Sequence, residues 1–212
     1  MRIGWVLLVL CLAAVLIPGV PASGAGEAPA SGGAETAGAA EAVNAFAVDV
    51  YLRLAQKEGE FFFSPYSISS ALAMVYAGAD GETAREMGKT LHLAGLPRPH
   101  LAMKALTDRF GAIRGDADYG KNGVFDAANR VWVDREEELL PDYTAFVGLG
   151  YGAAAEPLDF KRDANGARKA INEWTARETR GKIRDLLREG DVDRTTRLVL
   201  TNAVYFSSEW VK

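Results

Sequence analysis

The sequence predicts an α+β domain in which several amphipathic helices pack against a small number of strands. Apolar residues recur with the 3.6-residue period of a helix at 41–56 and again at 163–179. By contrast, 125–134 and 198–206 are short runs rich in β-branched and aromatic residues, the pattern of strands. Within 198–206 every residue is apolar or small except Thr201 and Asn202, which suits a strand covered on both faces. A buried amide without partners costs roughly 1–3 kcal/mol, so Asn202 requires hydrogen-bonding groups from elsewhere in the fold. A central strand also needs a neighbour on each side, and the sequence stops at Lys212, so part of the sheet is expected to lie beyond it.

The composition, 49% hydrophobic and 25% charged over 212 residues, is that of a globular chain able to bury a core. Its N-terminus differs from the rest. Arg2 precedes an apolar run at 6–17, followed by small, turn-prone residues, so residues 1–25 read as a secretory signal peptide with cleavage after Ala22 or Ala25. The run is too short for a spanning helix, and stable membrane insertion is not expected. Cys11, the only cysteine, follows Leu10 rather than a small residue and would leave with the signal. The exported chain would then have no disulfide and depend on packing alone. Residues 26–40, nearly all Gly, Ala, Ser, Pro and Glu, read as a flexible leader before a domain at 41–212. The net charge is −4 with no basic run, which argues against nucleic acid as a partner.

The first helix, 41–56, has Val43, Phe46, Ala47, Val50, Tyr51 and Leu54 on one face, and Gly59 stops it. Residues 60–63 read as a very short strand. Ser64 can cap the next helix with Pro65 at its first position, and Ile68, Leu72, Val75 and Tyr76 make that helix apolar nearly all round. After a turn at 77–81, a helix begins near Glu82, with Asp80 or Gly81 as cap and a possible capping box from Thr83 to Glu86. A further helix runs from Leu101 to about Ile113, then a polar loop at 115–123 leads to the strand at 125–134. A short helix at 142–149 ends among Gly148, Gly150 and Gly152, which do not complete a phosphate-binding GxGxxG and follow no strand. An edge strand near 154–160, the helix at 163–179 and a return segment at 182–197 complete the path to 198–206.

Four segments, in this order, resemble the serpins, the serine protease inhibitor superfamily. Phe62-Phe63-Ser64-Pro65-Tyr66-Ser67-Ile68 is similar to the short sheet B strand and helix B, and Gly78-Ala79-Asp80-Gly81-Glu82-Thr83 to the start of helix C. Ile171-Asn172-Glu173-Trp174 through Thr179-Arg180-Gly181-Lys182-Ile183 resembles helix F and its return loop. Thr201-Asn202-Ala203-Val204-Tyr205-Phe206 with Trp210 resembles the third strand of sheet A, although Ser207-Ser208 stand where the family often has Lys-Gly. The resemblance implies a serpin fold, here helices A to F with strands of sheet A and a short strand of sheet B, truncated before the reactive-centre loop.

Carried over residue by residue, the resemblance implies that Ser64, Ser67 and Asn202 form the shutter region beneath sheet A, joined by a histidine from beyond Lys212. It places Trp210 in the breach at the top of that sheet and Asn172 and Trp174 on helix F. It implies suicide inhibition of a serine or cysteine protease by a protein that is a monomer when complete, and the signal pattern adds the expectation that this protein is secreted and extracellular. A target attacks an exposed loop, and the cleaved loop enters sheet A as a new strand beside 198–206 while helix F yields. The reactive site is absent from this sequence, and a non-inhibitory serpin acting as a binding or chaperone-like protein is the alternative. No catalytic residue, metal or cofactor is expected. Ser64 precedes a proline rather than occupying a GxSxG elbow, and His92 and His100 are the only histidines.

Overall fold

The computed structural model describes residues 12–13, 32–112 and 124–207. The expected signal cleavage site, the loop at 115–123 and Trp210 lie outside the described residues. Among the described residues six helices and four strands follow in the order β1 (Leu12–Ala13), α1 (Gly32–Leu54), α2 (Pro65–Tyr76), α3 (Gly81–Thr90), α4 (Pro99–Gly111), β2 (Val124–Asp134), α5 (Pro141–Tyr151), β3 (Ala154–Leu158), α6 (Phe160–Glu178) and β4 (Leu198–Ser207).

The strands form one mixed sheet ordered β1-β4-β2-β3. β2 and β4 are antiparallel along almost their whole length, with Asn129 opposite Asn202 and Arg130 opposite Thr201. β3 runs parallel to β2 as an edge strand, as its sequence suggested. Side chains on alternate residues of β2 and β4 feed two cores. Val131, Leu198, Leu200 and Val204 join α1, α2, α4 and α5 in the larger one. Trp132, Val199 and Ala203 face the other way, meeting Phe160, Ala167, Ile171 and Trp174 of α6 and Leu187 of the return segment. The near-continuous apolar runs therefore reflect burial on both faces, and the buried stretch from Leu198 to Val204 has no wet side.

Local chemistry accounts for the helix limits. Ser64 is extended, its side chain accepts from the Ser67 N–H, and Pro65 occupies the first turn of α2, as expected. Asp80 caps α3 by position without a side-chain cap hydrogen bond, and Thr83 lies inside the helix rather than at its cap, so the capping box expected from Thr83 to Glu86 does not form. α5 continues through Gly148 and Gly150, and ends at Gly152 in the left-handed conformation (φ 62°) that glycine adopts at no steric cost. In α6 the chain departs from helical geometry at Asp163, where the main helix was expected to begin, and the Asp163 carboxylate accepts from the Gly166 N–H at 2.8 Å.

Two expectations fail. α1 starts at Gly32, so the later part of the segment read as flexible is helical. Its alanines are the best helix formers, Ala39 is fully buried, and Glu35 pairs with Arg98 of the turn before α4. Conversely, 60–63 is not a strand. A strand needs a ladder partner, none of the described strands lies beside it, and Phe61 and Phe62 are exposed.

Candidate functional site

The centre of the sheet contains a seam of buried polar groups. Ser64 Oγ accepts from Ser67 N–H at 3.3 Å, and Ser67 Oγ–H donates to Asn202 Oδ1 across the α2–β4 interface. Asn202 Nδ2 in turn donates to Asn129 Oδ1 at 2.7 Å, and Asn129 Nδ2 donates to the Tyr151 carbonyl at 2.9 Å, beside the end of α5. Ser67 and Asn202 are fully buried, and Asn129 nearly so. The structure thus brings together the three residues predicted to be neighbours and adds a fourth, Asn129, that sequence reasoning missed. The signal was available: an amide inside the strand 125–134 demands partners by the argument applied to Asn202.

On the α6 side, Asn172 uses both ends of its amide on one residue. Its Nδ2 donates to the Leu187 carbonyl at 2.9 Å, and its Oδ1 accepts from the Leu187 N–H at 2.8 Å, which fastens the return segment to the helix. Trp174 meets Trp132 edge to face, ring centroids 5.7 Å apart. Trp132 Nε1–H is satisfied by Thr201 Oγ1 at 3.0 Å.

Asp134, buried at the end of β2, anchors the start of α6. Its carboxylate accepts from the N–H groups of Glu136 at 3.0 Å and Lys161 at 3.2 Å. Burial pushes this carboxyl up, but those backbone donors, with Phe160 and the Arg197 charge, outweigh it and hold it below the usual carboxylate range.

The histidines and Ser64 occupy separate places. His92 pairs with Asp49 at 2.7 Å on the surface, and His100 Nδ1 shares a 2.7 Å hydrogen bond with the Tyr151 hydroxyl. Burial lowers the pKa of His100 to about 4 and raises that of Tyr151, so both are neutral near pH 7. Gly148, Gly150 and Gly152 border a cavity of about 410 Å³ with Asn129, Arg130 and Trp174. They form the carbonyl end of α5, whose dipole disfavours a phosphate. Among the described residues no group of three or more His, Cys, Asp or Glu could hold a metal, and no helix is long and apolar enough to cross a membrane.

On the side of β4 away from β2, Leu12 and Ala13, which lie in the segment read as a signal peptide, pair antiparallel with Leu200 and Val199. A family model described as Serpin (serine protease inhibitor) matches residues 41–212, from the Val43 stripe of α1 through β4. The chain belongs to the serpin family. Leukocyte elastase inhibitors are among the similar serpins: the Bos taurus protein is 41% identical over 170 residues, 78% of this chain and 42% of the relative. The chain therefore spans less than half the length of such relatives. Its fold is that of solved serpins, including reaction-loop-cleaved lamprey angiotensinogen, 28% identical with a TM-score of 0.71 over 83% of this chain and 50% of the other. A second, Arabidopsis AtSerpin1 in its native stressed conformation, is 25% identical with a TM-score of 0.65 over 86% and 46%. The helices and mixed sheet described above are thus the N-terminal portion of a serpin.

Proposed function

We propose that this chain is the N-terminal part of a secreted serpin that inhibits a serine or cysteine protease by taking its own cleaved loop into the sheet as a new strand beside β4. The observation that carries the reading is the buried seam at β4: Ser67, Asn202 and Asn129 are joined in series through the strand, in a chain whose residues 41–212 match the serpin family model. In this reading Ser64, Ser67 and Asn202 form the shutter, holding α2 to the sheet while it is closed and giving way as it widens. Asn172 and Trp174 belong to the helix that crosses the sheet and is displaced as the strand enters. The leukocyte elastase inhibitors among the similar proteins support a protease as partner. The N-terminal pattern of Arg2, apolar run and small residues supports export.

The test uses the protein expressed from its full gene, including any coding sequence past Lys212. Incubation with a panel of serine and cysteine proteases is expected to give, with at least one, a complex that survives boiling in SDS at the summed mass. Cleavage of the loop with every protease and no such complex would overturn the inhibitory reading in favour of a binding or chaperone-like serpin.

A further inference from the structure

The underside of α6 is held to the sheet by more than apolar contact. On the α6-facing side of β2, the Arg130 guanidinium lies 5.5 Å from the Trp132 ring centroid and 5.5 Å from that of Trp174, so a sheet residue reaches a helix residue through a shared cation. Its Nη1 is held by Glu156 of β3. Six residues beyond Trp174, just past the C-terminus of α6, the direction reverses. Arg180, just past the C-cap Thr179 and in the left-handed conformation (φ 52°), reaches down from the helix. It covers the Tyr205 ring of β4 at 4.3 Å and pairs with Asp126 of β2 at 2.6 Å. Asp126 and Tyr205 are opposite one another in the ladder, so this second contact ties the helix to both strands at one rung.

Among the described residues Arg130 Nε and Trp174 Nε1 have no hydrogen-bond partner, and both residues line the cavity of about 410 Å³. Stacking of the guanidinium against the two rings, rather than a hydrogen bond, therefore joins β2 to α6 at this point.

We infer that Arg130 and Arg180 are positioning residues forming a two-point clasp that sets how readily α6 lifts from β2 and β4 as a unit, ahead of global unfolding. Its use in admitting a strand rests on the inhibitory reading; the clasp itself is tested without a protease. Backbone hydrogen exchange is followed by mass spectrometry on the protein expressed from its full gene, on its Arg130→Gln and Arg180→Gln variants and on the double variant. Each single variant is expected to speed exchange in 167–178 roughly 10-fold, and the double variant roughly 100-fold, with β2 and β4 unchanged. Arg180→Lys, which keeps the charge beside Asp126 but not the planar stacking group, is expected to fall between wild type and Arg180→Gln. Unchanged exchange in α6 would overturn the inference. So would acceleration spread equally over α2, β2 and β4, since loss of general stability has that signature. A protein that fails the protease test while its α6 responds as stated would retain the clasp and lose only the inhibitory reading.

Discussion

Asn202 has no exposed surface, yet its amide is engaged at both ends, by Ser67 on one side and Asn129 on the other. Removing one member strands the other, and the cost is set by the group left behind. Asn129→Ala is expected to lower stability by about 1–3 kcal/mol in urea titrations, because it leaves Asn202 Nδ2 and the Tyr151 carbonyl unpaired. Asn202→Asp should be worse than Asn202→Ala, since it turns an oxygen toward Asn129 Oδ1 and buries a charge with no cation beside it. His100 supplies a pH dependence. Its pKa of about 4 in the fold, against about 6.5 when unfolded, means the unfolded chain binds more protons in that interval. Stability should therefore be full above about pH 6.5 and fall as the pH drops toward 4, by about 3 kcal/mol at most. Denaturation midpoints at pH 7 and pH 4.5 should converge on replacing His100 with Gln, beyond the background loss from carboxylates such as Asp134. That carboxyl acts at still lower pH: depressed in the fold, it stabilises above its unfolded pKa, and this is lost as acid titrates it.

At the scale of elements, α6 shows how a cap can override propensity. Alanine in place of a helical glycine ordinarily stabilises by about 1 kcal/mol, but a Cβ at Gly166 would collide with the Asp163 carboxylate that caps the helix. Gly166→Ala is therefore expected to be neutral or destabilising alone, and to stabilise by about 1 kcal/mol in an Asp163→Ala background; thermal melts of the four proteins decide it. The main part of α6 was legible in the sequence because one-sided burial imprints a period on it, and α2 because Ser64 and Pro65 mark its start. The strands β2 and β4 were legible because two-sided burial leaves unbroken apolar runs. Three features were not. The start of α1 hid behind glycines that lower helix propensity while neighbouring alanines raise it, and the contact of Glu35 with Arg98 spans a distance no local window covers. Residues 60–63 have strand composition, but a strand exists only with a partner. The Arg130–Trp132–Trp174 stack joins an edge-flanked strand to a remote helix and leaves no spacing to read. Within the seam, Ser64, Ser67 and Asn202 were reached through family resemblance, whereas Asn129 followed only once the strands were paired.

As a whole, the molecule is a sheet sandwiched between four helices on one face and α6 with its return segment on the other. β4 is at the centre of both cores, but among the described residues its outer side is paired only at Val199 and Leu200. Open ladder groups on a long apolar strand recruit other strands. Residues 26–212 produced alone are accordingly expected to scatter light and sediment as aggregates at micromolar concentration, while a soluble, cooperatively melting monomer in sedimentation and calorimetry would refute this. The Asn129–Asn202 pair has a bearing on how such a sheet assembles. The two amides face each other at one rung. A slip of one residue would turn every β4 side chain to the wrong core, and a slip of two would preserve the faces but set Asn202 against Ala127 or Val131, leaving two amides stranded in hydrocarbon. The pair therefore works as a ruler: it adds little to the depth of the correct pairing and much to the height of the nearest incorrect one, so the strands proofread their own alignment.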